Sequence, residues 1–169
     1  MAVLIAPDSM PVIGPLIFLG GPIQNARPWQ EEAIEIIQLL DPGIHIASPR
    51  RRGVERGEFT DSMYYEQVDW ETEHLMRAGQ HGVVMFWLEC EETHSCGRSF
   101  AQTTRFELGV WSERARLSAV KLVVGVGPNF SGTRYIRYHL YKHCSHVPVR
   151  TTLEDTCRWA VDMANRHEL

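Results

Sequence analysis

Two groups of acidic residues have the types and spacing for nucleophilic or acid–base chemistry. Glu107 falls in the first turn of a predicted helix, among apolar side chains. Asp69, Glu71 and Glu73 lie on another predicted helix, where Asp69 and Glu73 share a face and Glu71 points elsewhere. Two carboxylates that converge on strand ends suit cleavage of a glycosidic bond. One attacks or stabilises the anomeric carbon while the other handles the proton of the leaving group.

Each acidic group also has an ordinary structural interpretation. Glu107 follows Thr104 by three residues, which is the spacing of a capping box, and an acidic run on a helix is usually a solvated face. For Glu71 to act as an acid, its pKa must be raised by burial or by a nearby like charge. Periodicity alone therefore favours the structural interpretation of each group.

Other reactive residue types are present without a supporting pattern. The turn at Gly20 and Gly21 lets backbone approach a ligand, but the chain has neither the dinucleotide fingerprint nor the phosphate-loop motif, which argues against nicotinamide and ATP chemistry. The chain also lacks the nucleophile-elbow motif of serine hydrolases. We expect no metal, because no distant ligand pair supports the small cluster formed by His139, His143, Cys144 and His146. Neither Cys90 nor Cys96 has an ordered base motif that would make it a nucleophile.

The elements that must position these residues alternate between strand and helix. Apolar runs predict strands at residues 16–19, 44–47, 82–87 and 120–126, and helices at 30–40, 63–78, 133–143 and 152–165. A further helix is predicted to run through residue 116, with Thr103 or Thr104 as its N-cap, and Asp61 or Ser62 is expected to cap the helix at 63–78. Polar loops at 48–61 and 89–102 separate these elements. This order predicts an α/β fold, a flavodoxin- or Rossmann-like open and mainly parallel sheet with helices on both faces. Ligands in such sheets bind at the carboxyl ends of the strands.

Composition narrows the class of protein. With 169 residues, 44% hydrophobic and 22% charged, the chain predicts one globular domain at 16–169 after a loose lead-in at 1–15. A net charge of −4 argues against a general nucleic-acid binder, and no apolar run is long enough to predict a membrane span. The N-terminus lacks the pattern of a secretory signal, and four cysteines without a compact spacing are typical of reduced thiols, so we expect a cytoplasmic protein.

Four short motifs occur in order along the chain. They are residues 18–22, the Gln-x-x-Trp-Glu-x-x-x-Leu pattern at 67–75, the strand ending at 86–87, and residues 103–109. Together they resemble the nucleoside 2-deoxyribosyltransferase-like family over about residues 16–127. The resemblance implies a flavodoxin-like fold, a homodimer or higher homo-oligomer, and no cofactor. It also implies that a nucleoside and a free nucleobase are the partners, with 2-deoxyribose transferred between bases through a covalent glycosyl-enzyme.

The same resemblance assigns roles to individual residues. Glu107 matches the nucleophile, and Glu71 matches the acidic residue that assists at the base. In the mechanism that we expect, Asp69 is a further candidate to assist Glu71. Gly20 and Gly21 match the turn beneath the nucleoside. Phe18 stands where better-known transferases have a tyrosine whose hydroxyl touches the nucleophile, so hydrolysis or silent nucleoside sensing are alternatives to transfer.

The remaining expectations concern binding residues. Related nucleotide hydrolases carry a serine as a phosphate contact six residues before the nucleophile, and here that residue is Ala101, which favours nucleosides over nucleotides. A three-arginine stretch at 50–52 is expected to form a solvated loop patch, with flanking of the entrance or contact with an anionic substrate as alternatives. The residues expected to contact or enclose the substrate, with core packing as the alternative for each tryptophan, are Phe18, Gly20, Gly21, Pro22, Trp29, Trp70, Trp87 and Thr104.

Overall fold

A single parallel sheet organises the chain. The computed structural model describes residues 1–53, 60–94, 96–97 and 99–166. The strands are β1 (Val3–Ile5), β2 (Leu16–Gly20), β3 (His45–Ser48), β4 (Gly82–Leu88), β5 (Leu122–Val126) and β6 (Val149–Arg150). The helices are α1 (Trp29–Leu40), α2 (Asp61–His81), α3 (Gln102–Leu117), α4 (Thr133–His143) and α5 (Leu153–Asn165). The sheet order is β1-β3-β2-β4-β5-β6, and every pairing is parallel. The predicted α/β class with an open parallel sheet is confirmed.

Alternation along the strands creates two cores, one on each face of the sheet. Phe18 of β2 and Phe86 of β4 belong to the core that α2, α3 and α4 cover. Leu19 and Met85, one residue along the same strands, belong to the core beneath α1 and α5. Because successive side chains of a strand point to opposite faces, strands buried on both sides read as continuous apolar runs. This explains why the strands were recognisable in the sequence.

The strand order reverses at β2, and this determines where a ligand site can form. The chain passes from β2 through α1 to β3 on one side, and then through α2 to β4 on the other side of β2. Crossovers that diverge in this way leave a crevice at the carboxyl ends of the central strands. The turns after β2 and β4 and the N-terminus of α3 are therefore the segments that can build a site.

The N-terminal segment is more ordered than the sequence predicted. The expected loose lead-in at 1–15 was wrong for β1, which pairs with β3 through Val3 and Ile46, and Leu4 is 2% exposed. The Nδ1 atom of His45 accepts a hydrogen bond from the Ala2 amide at 2.9 Å. Three apolar residues are too few to show a strand periodicity, and only the neighbouring strand supplies their hydrogen-bond partners.

Two predicted helix starts also need correction. The N-cap of α2 is Thr60, whose hydroxyl accepts from the amide of Met63, rather than Asp61 or Ser62. The residue before α3 is Ala101, with a φ of 56° and no capping side chain, so the predicted caps Thr103 and Thr104 lie inside the first turn. The predicted loops extend beyond the described part of the chain at residues 54–59, 95 and 98. Among the described helices, none is both long and apolar enough to cross a membrane.

Candidate active site

A cavity of about 420 Å³ opens at the carboxyl ends of the central strands. Its walls come from the turn after β2, the segment after β3, one face of α2, and the segment that leads into α3. The two predicted catalytic glutamates, Glu71 and Glu107, both line it, as do Phe18, Gly20, Gly21, Pro22 and Thr104. The crevice expected from the strand order is therefore the place where the acidic residues meet.

Glu71 and Glu107 reach the cavity from two different helices. Glu71 lies in the third turn of α2, and Glu107 lies in the second turn of α3 rather than in its first turn. Both side chains are half-buried, and their carboxyl groups interact with each other through a hydrogen bond and through charge repulsion. Two carboxyl groups in contact, withdrawn from water, hold a proton that isolated glutamates would lose at neutral pH.

The pKa values of the pair reflect this environment. Burial, followed by the charge of Glu71 and the hydrogen bond between the two groups, raises the pKa of Glu107 to about 8. Burial also raises the pKa of Glu71, but hydrogen bonds from Gln67 and Glu107 and the charge of Arg51 oppose that rise. The raised pKa that general-acid chemistry requires of Glu71 is thus present. Glu71 has the partners that stabilise a carboxylate, namely Gln67 and Arg51, whereas every effect on the pKa of Glu107 raises it.

The floor of the cavity is backbone that tolerates no side chain. Gly21 has a φ of +152°, and a Cβ there would lie 2.3 Å from the carbonyl oxygen of Trp87 and 2.6 Å from the ring of Trp29. A Cβ on Gly20 would lie 2.8 Å from the ring of Phe86. Two glycines are therefore required for the turn to pack against β4 and still leave room above it.

The three tryptophans expected near the substrate do not line the cavity. Trp29, Trp70 and Trp87 are 0%, 4% and 2% exposed, so the core-packing alternative describes them. The Nε1 atom of Trp29 donates to the carbonyl of Pro22 at 2.9 Å, and Trp70 packs against Phe18 with ring centroids 6.3 Å apart. These residues support the walls of the cavity from behind.

Asp69 is not brought to the cavity. It is exposed on α2 and is not part of the cavity lining. Two residues along a helix correspond to a rotation of roughly 200°, so Asp69 points away when Glu71 points inward. Thr104, by contrast, is 5% exposed and lines the cavity from the first turn of α3.

Gln67 and Arg51 are functional candidates that sequence reasoning did not select as site residues. Both line the cavity, and the Nε2 atom of Gln67 donates to Oε1 of Glu71 at 2.7 Å. Gln67 precedes Glu71 by four residues on the same helix, and this spacing, which places two side chains on one face, was the signal available in the sequence. Arg50 also lines the cavity, and its guanidinium donates to the carbonyl of Ile23 at 3.2 Å.

Glu89, which directly follows β4, is a buried acidic residue. The sequence analysis did not single it out. It is 4% exposed and accepts from Nε1 of Trp87 at 3.0 Å, from the Cys90 amide at 3.0 Å and from Nε of Arg27 at 2.6 Å. Burial raises its pKa, but the hydrogen bonds from Trp87, Cys90 and Arg27 outweigh this effect and hold the pKa below the ordinary value. Glu89 therefore ties the segment after β2 to the end of β4 as a structural anchor.

The sequence analysis considered a metal site at a small cluster that includes His139 and His143 of α4, and expected none. The rings of His139 and His143 lie 4.9 Å apart, but the described residues contain no group of three side chains suited to hold a metal ion.

Comparisons with known proteins establish the family and the fold of the chain. Residues 14–128 match the family model described as nucleoside 2-deoxyribosyltransferase like. The chain belongs to the nucleoside 2-deoxyribosyltransferase-like family. The region matched to this family contains the glycine turn, Glu71 and Glu107.

A solved structure shares the fold. A conserved protein from Enterococcus faecalis V583 matches with a TM-score of 0.50 and 14% sequence identity, over 89% of this chain and 98% of that chain. At this identity the likeness concerns the fold alone. No protein with a curated description matches the sequence significantly.

Proposed function

We propose that this protein is a nucleoside 2′-deoxyribosyltransferase that exchanges the base of a 2′-deoxynucleoside through a covalent glycosyl-enzyme intermediate. The observation that carries the proposal is the pair of interacting, half-buried carboxyl groups of Glu71 and Glu107 in the cavity. Membership of the nucleoside 2-deoxyribosyltransferase-like family supports the same chemistry. The partners are a small-molecule nucleoside and a free nucleobase.

The single proton shared by Glu107 and Glu71 allows one residue to act as the nucleophile and the other as the general acid. Transfer of the proton from Glu107 to Glu71 along their hydrogen bond creates a nucleophilic carboxylate and a general acid in one step. Glu107 then attacks C1′ and forms an ester with the sugar, while the bond from C1′ to the base breaks. The base leaves with the electron pair of that bond and takes the proton from Glu71.

Transfer is completed by the reverse sequence with a second base. A nitrogen of the incoming base attacks C1′, the ester bond breaks, and Glu107 is released as a carboxylate. Glu71 accepts the proton that the incoming base loses, so the protein ends with the same single proton on the pair. Protons and charge balance over the cycle, and the reaction needs no cofactor.

Hydrolysis is a second candidate outcome, favoured by one specific residue. Phe18 lines the cavity and has no hydroxyl group to offer to Glu107. Without that contact, water rather than a base is able to take the sugar from the glycosyl-enzyme, which would make the protein a nucleoside N-glycosidase.

One chromatographic assay tests these possibilities. The protein is incubated with a 2′-deoxynucleoside and a different free base. A parallel reaction contains the corresponding ribonucleoside and the same free base. A new nucleoside supports transfer, free deoxyribose and base support hydrolysis, and unchanged substrate with saturable binding indicates a sensor. The activity must be lost in Glu107→Gln and retained in Glu113→Gln, because Glu113 is an exposed glutamate on the same helix. Equal activity in both variants would overturn the proposal.

Two further expectations accompany the proposed activity. The resemblance to the family implies a homodimer or higher oligomer, which sedimentation of the purified protein at several concentrations would test. We also expect the protein to be cytoplasmic, which fractionation of the source cells would test.

A further inference from the structure

A hydrogen-bonded chain leads from the segment after β3 to the acidic pair. Nε of Arg51 donates to Oε1 of Gln67 at 2.7 Å, and Nε2 of Gln67 donates to Oε1 of Glu71 at 2.7 Å. The same Nε2 atom donates to the carbonyl oxygen of Pro49 at 2.7 Å. Gln67 is 9% exposed, and the side chain of Arg51 is 8% exposed, so these hydrogen bonds are shielded from solvent.

The direction of every hydrogen bond in this chain is fixed. A guanidinium group has donors and no acceptor, so the amide oxygen of Gln67 must face Arg51. The amide nitrogen of Gln67 must then face Glu71 and the carbonyl of Pro49, which uses both of its hydrogens. Oε1 of Glu71 is consequently an acceptor, which leaves Oε2 of Glu71 and the carboxyl group of Glu107 as the positions where the proton of the pair can sit.

The ends of the chain are anchored independently of the acidic pair. Arg51 also donates to Oε2 of Glu66 at 2.6 Å and to the carbonyl oxygen of Met63 at 3.3 Å, both in the first two turns of α2. These contacts hold the guanidinium against α2, so the amide of Gln67 cannot turn over without breaking bonds at both ends. Among the described residues, the charged groups that face Glu71 are Arg51 from the segment after β3 and Glu107 from α3.

We propose that Gln67, held in place by Arg51, is a positioning residue that orients the Glu71 carboxyl group and directs the proton of the acidic pair onto Glu107 in the substrate-free protein. This inference deepens the proposed function and rests on it for its catalytic meaning. Gln67 acts through Glu71 rather than on the substrate, because both polar atoms of its amide are already engaged. The lowering effect of Gln67 and Arg51 on the pKa of Glu71 has the direction that this role requires.

The direct test follows the carboxyl carbons of the two glutamates by NMR as a function of pH. Protein labelled with ¹³C in its glutamate side chains is titrated, and the two signals are assigned with Glu71→Gln and Glu107→Gln. In the wild type we expect the Glu71 carbon to have the chemical shift of an ionised carboxyl at neutral pH, while the Glu107 carbon remains neutral. In Gln67→Met, which removes the donor, the titration of Glu71 must move to higher pH.

Two further variants keep the test decisive. Gln67→Leu also removes the donor to Glu71 and introduces no charge, so it must move the titration in the same direction even if Gln67→Met folds poorly. Gln80→Met changes an exposed glutamine on the same helix and must leave the titration unchanged. An unaltered Glu71 titration in both Gln67 variants would overturn the proposal.

The kinetic test separates this inference from the proposed function. If the wild type cleaves nucleosides, Gln67→Met must lower kcat by about tenfold or more with KM nearly unchanged, because Glu71 acts mainly in the transition state. The pH profile of kcat must also shift at the limb that reports Glu71, whereas Gln80→Met must leave both unchanged. If the wild type cleaves no nucleoside, the proposed function fails while the NMR titration still decides the role of Gln67.

Discussion

Removing the Glu107 carboxyl group should stabilise the fold at neutral and alkaline pH. The pKa of Glu107 rises from an ordinary value of 4.5 to about 8 because of burial and the nearby Glu71. Below pH 4.5 the folded and unfolded chains both carry the proton, so the group has no effect on the free energy of unfolding. As pH rises toward 8, Glu107 loses its proton in the unfolded chain. In the folded chain Glu107 keeps the proton, because its ionisation would place a second negative charge next to Glu71 in a buried environment. The folded state binds more protons in this window, so stability falls as pH rises.

The size of the effect follows from the same shift. A displacement from 4.5 to about 8 corresponds to a ceiling of about 5 kcal/mol at 1.36 kcal/mol per pH unit. Glu107 is only half-buried and shares its proton with Glu71, so we expect Glu107→Gln to gain about 1–2 kcal/mol above pH 8. For a chain of this size that gain is a rise in Tm of about 2–8 °C. Stabilisation through loss of a functional group is common, because active sites hold charges that the fold would not otherwise keep together.

The assay is thermal unfolding of wild type and variant from pH 5 to pH 9. The two Tm curves should meet near pH 5 and separate as pH rises, with the variant above. Glu73→Gln, at an exposed position of α2, serves as the matched control and should follow the wild type throughout. Parallel curves for Glu107→Gln and wild type over the whole range would refute the electrostatic reasoning.

Three predictions concern the scaffold around the pair, each measured by chemical denaturation. Gly21→Ala should cost roughly 2 kcal/mol or more, because the new Cβ would lie 2.3 Å from a carbonyl oxygen in a backbone conformation with a φ of +152°; a cost under 0.5 kcal/mol would contradict the required turn. Glu89→Ala should cost about 2–3 kcal/mol, because Nε1 of Trp87 and a backbone amide lose their acceptor; unchanged stability would mean that water replaces the carboxylate. Leu4→Ala should cost about 2–4 kcal/mol, because this side chain is 2% exposed. Ile13→Ala, at a side chain that is 97% exposed, should change little, and equal effects of the two would contradict an integral β1.

The architecture was predictable because the central strands are buried on both faces. Runs such as that of β4, from Gly82 to Leu88, are short, continuously apolar and rich in β-branched and aromatic residues, and these features identify them as buried strands. The α1, α4 and α5 boundaries were confirmed within a residue, because apolar residues at helical spacing mark these segments. β1 was missed because it has three residues and is stabilised only by its pairing with β3.

The acidic pair was predictable, whereas its surroundings were not. Glu71 and Glu107 were found from their place on helices that follow strands and from the family resemblance. The sequence did not show that Trp29, Trp70 and Trp87 lie in the core rather than in the cavity lining, because an aromatic side chain near a strand end has the same pattern in both places. Arg51 could not be distinguished from its arginine neighbours in a stretch typical of a solvated patch. Only the structure shows its hydrogen bond to Gln67. Such contacts depend on side-chain direction across elements distant in sequence, which periodicity does not contain.

The central claim is that Glu107 forms the bond to the sugar. Protein incubated with a 2′-fluorinated deoxynucleoside, whose glycosyl ester breaks down slowly, can be digested and its peptides mapped by mass spectrometry. We predict a sugar adduct on the peptide and side chain of Glu107, absent in Glu107→Gln and unaffected in Glu113→Gln. An adduct on Glu71 or any other residue, or release of the base with no adduct in the wild type, would contradict the claim.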